Sequence, residues 1–176
     1  MNEALLAQFG LKGLPRQGWV NVGVPLPESV AAHSWGVALL VIHLLPEHLD
    51  MEKALQFATL HDLPEAITGD FTPQDQVSKP QKIQLERTAL VDLLKKSPRA
   101  TKINEIFEEY LCQNTEEARF VHQLDKLDMA LQAVIYRRAS NAELRAFIDS
   151  AASAIHAPNL QQIVAWCRTQ VEDQSK

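Results

Sequence analysis

Apolar residues recur at helical spacing along almost the whole chain, and alternating or continuous strand-like runs do not. Val30, His33, Val37, Leu40, Val41 and Leu44 fall at i, i+3, i+7, i+10, i+11 and i+14, one apolar stripe that Pro46 ends. Pro27 stands at its entrance, where a missing N–H costs nothing. Before it, residues 2–9 predict a short helix closed by Gly10 and Gly13, and LPRQGWVNVGVPLPE reads as an extended loop. A third helix is expected over 52–61, with Ala54, Phe57, Ala58 and His61 on one side, and LPEAITGD adds a turn or two before Gly69. FTPQDQVSKP is loop by composition. Residues 80–96 predict an amphipathic helix carrying Ile83, Leu85, Leu90, Leu93 and Leu94, and residues 100–111 a shorter one.

Thr115, with Glu117 close behind, opens a long helix to about Arg138 that is apolar nearly all round. Phe120, Leu124, Leu127 and Leu131 lie on one side, and Ala118, Val121 and Met129 on another. Such a helix belongs at the centre of a bundle. Two helices over 141–151 and 159–171 finish the chain. The expectation is one all-α domain over residues 1–176, which at 176 residues is large enough to bury its own core.

The composition, 46% hydrophobic and 22% charged, is that of a soluble globular protein. A formal net charge of −5 argues against a nucleic-acid polymer as partner, since phosphate contacts need a basic face. A small anionic ligand stays open, because a metal ion inverts the local field. Cys112 and Cys167 lie far apart and read as free thiols of a reducing compartment. The start, MNEALLAQFGLKG, lacks the pattern of a signal peptide, and VALLVI is too short to span a bilayer. A cytoplasmic location away from membranes is expected.

The chemistry enters with His61 and Asp62, adjacent in sequence at the end of an apolar helical run. Neighbours on a helix point about 100° apart, so both reach one ion only from the helix's end or edge. An imidazole nitrogen and a carboxylate oxygen make half of a divalent-metal site. His33 and Asp125 complete it. A lone histidine in an apolar stripe is ordinarily a core residue with one hydrogen bond. Asp125 changes that reading, because it falls between Val121 and Met129 on the helix expected to be buried. An unpaired carboxylate there costs several kcal/mol or takes a proton. Two imidazoles and two carboxylates facing a core make sense together around a cation. His122, one turn before Asp125, is a weaker substitute ligand, and Asp128, one turn after, reads as a support behind the ligands or, more readily, as a partner of a nearby Arg or Lys. Ser29 and Ser34 have no evident base, and no phosphate-binding glycine motif is present.

His33, His61–Asp62 and Asp125, all on helices, resemble the ligand pattern of the HD-domain superfamily of metal-dependent phosphohydrolases. With PRQGW, PESVAAHSW, HDLPEAITGD and VHQLDKLDM, the chain resembles the small single-domain 5′-deoxynucleotidases of that superfamily over about residues 10–136, and more loosely beyond. The resemblance implies a metal-site core over about 27–136 and a substrate-binding loop over 10–27. Glu65 then takes the catalytic acid/base role, three residues after Asp62 and on the same side of a helical turn. Arg16 and Trp19 take the phosphate, although Gln17 and Gly18 separate them, as in the eukaryotic-type members. Asp70 touches the deoxyribose, or with Glu65 holds a second divalent ion, and Phe71, Thr72 and Pro73 surround the sugar. On its own, Asp70 after Gly69 would read as an N-cap or Asx turn. The N/O ligand set suits Mn²⁺, Co²⁺, Fe²⁺ or Mg²⁺. A homodimer is also implied. The activity expected is hydrolysis of 2′-deoxyribonucleoside 5′-monophosphates to nucleoside and phosphate. The alternatives are an HD phosphohydrolase for another phosphoester, or a metal-containing helical binding module.

Overall fold

Ser29 and Asp50 set the two helices that carry most of the site. The Ser29 hydroxyl accepts the Ala32 N–H at 3.2 Å and starts a helix at Val30; the Asp50 carboxylate accepts the Lys53 N–H at 3.1 Å and starts the next at Met51. The computed structural model describes residues 2–139 and 142–172. Its helices are α1 (Asn2–Phe9), α2 (Gln17–Asn21), α3 (Val30–Leu44), α4 (Met51–Leu60), α5 (Glu65–Thr68), α6 (Lys79–Leu93), α7 (Ala100–Cys112), α8 (Glu116–Ala139), α9 (Arg145–Ala154) and α10 (Pro158–Glu172). Short 3₁₀ turns lie at Gly10–Lys12 and Pro73–Asp75. Among the described residues there is no strand, only an isolated bridge between Pro15 and Ser29. The architecture is the expected single all-helical domain.

Helix α8 is the axis. It packs against α3 and α4 on one side and α9 and α10 on the other. The core around it joins Val37 and Val41 of α3, Phe57 and Ala58 of α4, Leu124 and Leu127 of α8, Ile148 of α9 and Leu160 of α10. A second cluster, of Leu11, Val30, Leu63, Leu90, Leu93, Leu94 and Phe107, lies under α1, α6 and α7. Val30 is fully buried in this cluster, and Val37 of the same α3 stripe in the other, so His33 stands where the two meet.

The structure departs from the sequence pattern in four places. The stretch expected as loop holds α2, because the Asp70 carboxylate accepts the Gln17 N–H at 2.7 Å and Trp19 is drawn into the core at 2% exposure. These tertiary contacts outweigh the local glycine and proline content. The polar loop after Gly69 is ordered by a capping box in which Asp75 answers Thr72. Helix α8 is not buried all round: the apolar Ile135 is 56% exposed, since its neighbours cover two flanks and leave a third open. The penultimate helix begins at Arg145; the expected start at 141 lies outside the described residues.

Leu127 is fully buried, so Leu127→Ala is expected to cost about 2–5 kcal/mol of unfolding free energy in urea titrations. Ile135→Ala, on the open flank, should change it by no more than about 0.5 kcal/mol. Equal losses at the two positions would contradict the packing described.

Candidate functional site

His61 caps the C-terminus of α4, its N–H bonded to the Phe57 carbonyl at 2.9 Å, and Asp62 follows in the turn toward α5. The pair therefore meets the site from a helix end, as adjacency requires. The His61 Nδ1 lies 2.9 Å from the Ala58 carbonyl oxygen. A carbonyl only accepts, so Nδ1 carries the proton and Nε2 is left with its lone pair. His33 is held likewise: its Nδ1 lies 2.7 Å from Asp128 Oδ2, which turns its Nε2 inward. The two Nε2 atoms face each other at 3.4 Å. Asp62 Oδ2 lies 3.3 Å from His61 Nε2 and 3.6 Å from His33 Nε2, and Asp125 Oδ1 lies 3.3 Å from His33 Nε2.

Two imidazole lone pairs and two carboxylate oxygens thus converge on one point, and such a set demands positive charge. A proton can supply some of it. Burial and Arg16 push the His33 imidazole down, yet Asp125 and Asp128 outweigh them and raise it to about 10. Burial would raise Asp62 and Asp125, but the facing histidines, with Arg16 and Lys126, hold both carboxyls below their ordinary range. One proton satisfies one contact, whereas a divalent ion can satisfy them all with the nitrogen and oxygen donors such ions take. His33, His61 and Asp62 present ligand atoms within 4.8 Å of one another, a group able to hold a metal ion, and Asp125 joins it through His33. Glu28, His33 and Asp128 form a second close group, but there the shared nitrogen, Nδ1, already donates to Asp128.

Glu65 opens α5 and is 2% exposed. Its Oε1 lies 3.6 Å from Lys82 Nζ, while its Oε2 is buried with no hydrogen-bond partner. Burial, reinforced by the charges of Asp62 and Asp70, pushes this carboxyl up to about 9. Arg16 caps α2 at its N-terminus and places Nη1 3.5 Å from Asp62 Oδ2 and 3.6 Å from Asp70 Oδ1. A guanidinium thus already stands between these two carboxylates. Neither close group of ligand atoms among the described residues contains Glu65 or Asp70. Asp70 does act at a helix N-terminus, but that of remote α2. Trp19 spends its indole N–H on Glu28 Oε1 at 3.0 Å and packs on Phe147 with ring centroids 4.2 Å apart.

A cavity of about 440 Å³ opens beside the cluster, lined by Arg16, Trp19, Asp70, Phe71, Thr72 and Pro73, with Lys126, Met129 and Phe147 opposite. Every substrate-contact residue expected from the sequence is on its wall. His122 stays outside the cluster, its ring 6.4 Å from that of Tyr110. Asp128 takes His33 as its partner instead of an arginine or lysine, because α3 and α8 approach closely enough to put the ring within reach. That approach depends on Gly36, mid-helix in α3, where a Cβ would stand 2.1 Å from Asp128 Oδ1. Sequence reasoning missed Gly36, although a glycine one turn after a candidate ligand, at a helical position that costs about 1 kcal/mol, was a signal. Lys82, Glu86 and Phe147 carried none.

The HD domain family matches residues 10–164. A Bos taurus protein named 5′-deoxynucleotidase HDDC2 is 36% identical over 159 residues, 88% of this chain and 78% of its own length. The 5′-deoxynucleotidase hdd1 of Schizosaccharomyces pombe is 37% identical over 139 residues, 76% of this chain and 70% of its own. The crystal structure of the PH0347 protein from Pyrococcus horikoshii OT3 superposes with a TM-score of 0.80 at 35% identity, covering 97% of this chain and 99% of that one.

Gly36→Ala should push Asp128 off His33 and weaken metal affinity roughly 10–100-fold, the usual cost of losing a ligand's outer hydrogen bond. Gly10→Ala, where nothing lies within 4 Å, serves as the control in the same metal titration. Glu65 yields a prediction about stability. Its folded-state pKa of about 9 exceeds the ordinary 4.5, so between those values the folded chain keeps a proton that the unfolded chain releases. Stability of the metal-free protein is therefore lost as pH rises through that window. Metal-free Glu65→Gln should melt above the parent protein at pH 8 and lose that advantage near pH 4; an equal gap at both pH values would refute the assignment.

Proposed function

The chain belongs to the HD domain family, and on that footing we propose that it is a 5′-deoxynucleotidase, hydrolysing 2′-deoxyribonucleoside 5′-monophosphates to deoxynucleoside and phosphate. One observation carries this reading: Arg16 and Lys126, which line a cavity of nucleotide size, pair with Asp62 and Asp125 of the two-histidine, two-carboxylate cluster. His33, His61, Asp62 and Asp125 are the ligands of a divalent ion, and the mixed donor set suits Mn²⁺, Co²⁺, Fe²⁺ or Mg²⁺. When bound, such an ion withdraws charge from the phosphate and lowers the pKa of water.

The remaining steps belong to the chain's own side chains. Glu65, protonated at neutral pH through its raised pKa, gives that proton to the departing O5′ as the P–O5′ bond breaks, and regains one from the attacking water. Arg16, held by Asp62 and Asp70 at the cavity wall, offers its remaining donors to the phosphate. Trp19 forms a rigid wall, and Asp70 with Phe71, Thr72 and Pro73 encloses the sugar. Selectivity against ribonucleotides then rests on how tightly these residues close on the 2′-carbon. A second divalent ion near Glu65 and Asp70 would have to displace Arg16. No described helix is long and apolar enough to cross a membrane, and a homodimer in the cytoplasm completes the proposal.

Asp62→Ala and Asp125→Ala should each abolish bound metal in elemental analysis and, with it, phosphate release from every deoxynucleoside monophosphate. Glu65→Ala should retain metal while kcat falls about 10²–10⁴-fold. Loss of metal in the Glu65 variant would make the glutamate a ligand. Failure of the parent protein on all four deoxynucleotides would remove the activity proposed.

A further inference from the structure

Three cations approach the site from different elements, and they are not equally free. Arg16 is pinned by Asp62 and Asp70, and its side chain is 16% exposed. Lys82 is shared between Glu65 Oε1 at 3.6 Å and Glu86 Oε1 at 3.4 Å, and lies outside the cavity lining. Among the described residues Lys126 has a single carboxylate partner, Asp125 Oδ2 at 3.0 Å; it is 30% exposed and lines the cavity. Asp125 turns its other oxygen to His33 Nε2. Lys126 therefore stands one carboxylate away from the ligand cluster, on the side that opens to the cavity.

Resting on the nucleotidase reading above, we propose that Lys126 is a second phosphate-binding residue, beside Arg16, and the one that sets the substrate's direction in the cavity. The argument is one of charge and register. A phosphomonoester brings close to two negative charges into the cavity, and among the described lining residues the cations are Arg16 and Lys126, beside the one carboxylate of Asp70. Any positive charge placed among the cluster's donors takes up the charge of Asp125 and loosens its hold on the Lys126 ammonium, which is then available to an incoming anion. On α8, Lys126 and Met129 are one turn apart and share the cavity face. Beyond them α9 presents Phe147 and Ser150. The wall thus runs from a charged end at Asp125 and Lys126 to an apolar end at Met129 and Phe147. A nucleotide lies along it with phosphate at Lys126 and base toward Phe147.

The test uses Lys126→Gln and Lys126→Arg in the full-length, metal-loaded protein. Calorimetric titrations with inorganic phosphate and, separately, with deoxyadenosine read the two ends of the cavity. Lys126→Gln should weaken phosphate binding by about 10–100-fold, the loss expected for one charge-assisted hydrogen bond. Deoxyadenosine affinity and metal content should be unchanged, and Lys126→Arg should keep most of the phosphate affinity. Against deoxynucleotides, KM should rise more than kcat falls. Undiminished phosphate affinity in Lys126→Gln, or a loss explained by departed metal, would overturn the assignment. If the parent protein cleaves no deoxynucleotide, the activity proposed is what fails, and the phosphate titration still decides the role of Lys126.

Discussion

The site depends on which nitrogen of each imidazole carries its hydrogen. The Ala58 carbonyl fixes this for His61 and the Asp128 carboxylate for His33, so both rings aim Nε2 at the same point, 3.4 Å apart. Neither ring can turn away without leaving a buried donor unsatisfied, which costs about 1–3 kcal/mol. Both rings lie in the buried interior, where close packing limits rearrangement: His33 and His61 are buried, as are Val30, Val37 and Phe57 of the same helices. An affinity for positive charge is thus built in before any ion arrives.

The same constraint reconciles an acidic chain with an anionic substrate. The net charge of −5 is spread over the whole surface, whereas Arg16, Lys82 and Lys126 are gathered around the ligand cluster and its cavity. Each is paired with a carboxylate that also faces the cluster or its neighbour Glu65, so the local field is set by few groups at short range. Glu65 sits at the negative extreme of this arrangement, where burial and the charges of Asp62 and Asp70 push its carboxyl up to about 9.

The residues of the cluster were legible in the sequence because each announced itself by a local conflict. His33 interrupts an apolar stripe, Asp125 does so in the central helix, and His61 with Asp62 breaks the end of a third. Asp62 proved less buried than expected, with 16% of its side chain exposed. What supports the ligands was not legible. The Asp128–His33 bond depends on the separation of α3 and α8, which Gly36 permits, and a spacing between two helices leaves no periodic trace in either. Helix α2 owes its start to Asp70, 53 residues away, so composition alone made it a loop. Phe147 enters through α9, where the family resemblance was loosest.

Helix α8 serves three neighbourhoods through consecutive residues: Leu124 in the core, Asp125 at His33, Lys126 on the cavity. Each residue advances the helix by about 100° and 1.5 Å, so these assignments are angular positions on a single rod. Losing one codon upstream in the rod would rotate everything after it, offering a lysine to the imidazole and an aspartate to the hydrocarbon interior. Substitution can tune this helix gradually, but insertions and deletions are barred from it and confined to the connecting loops.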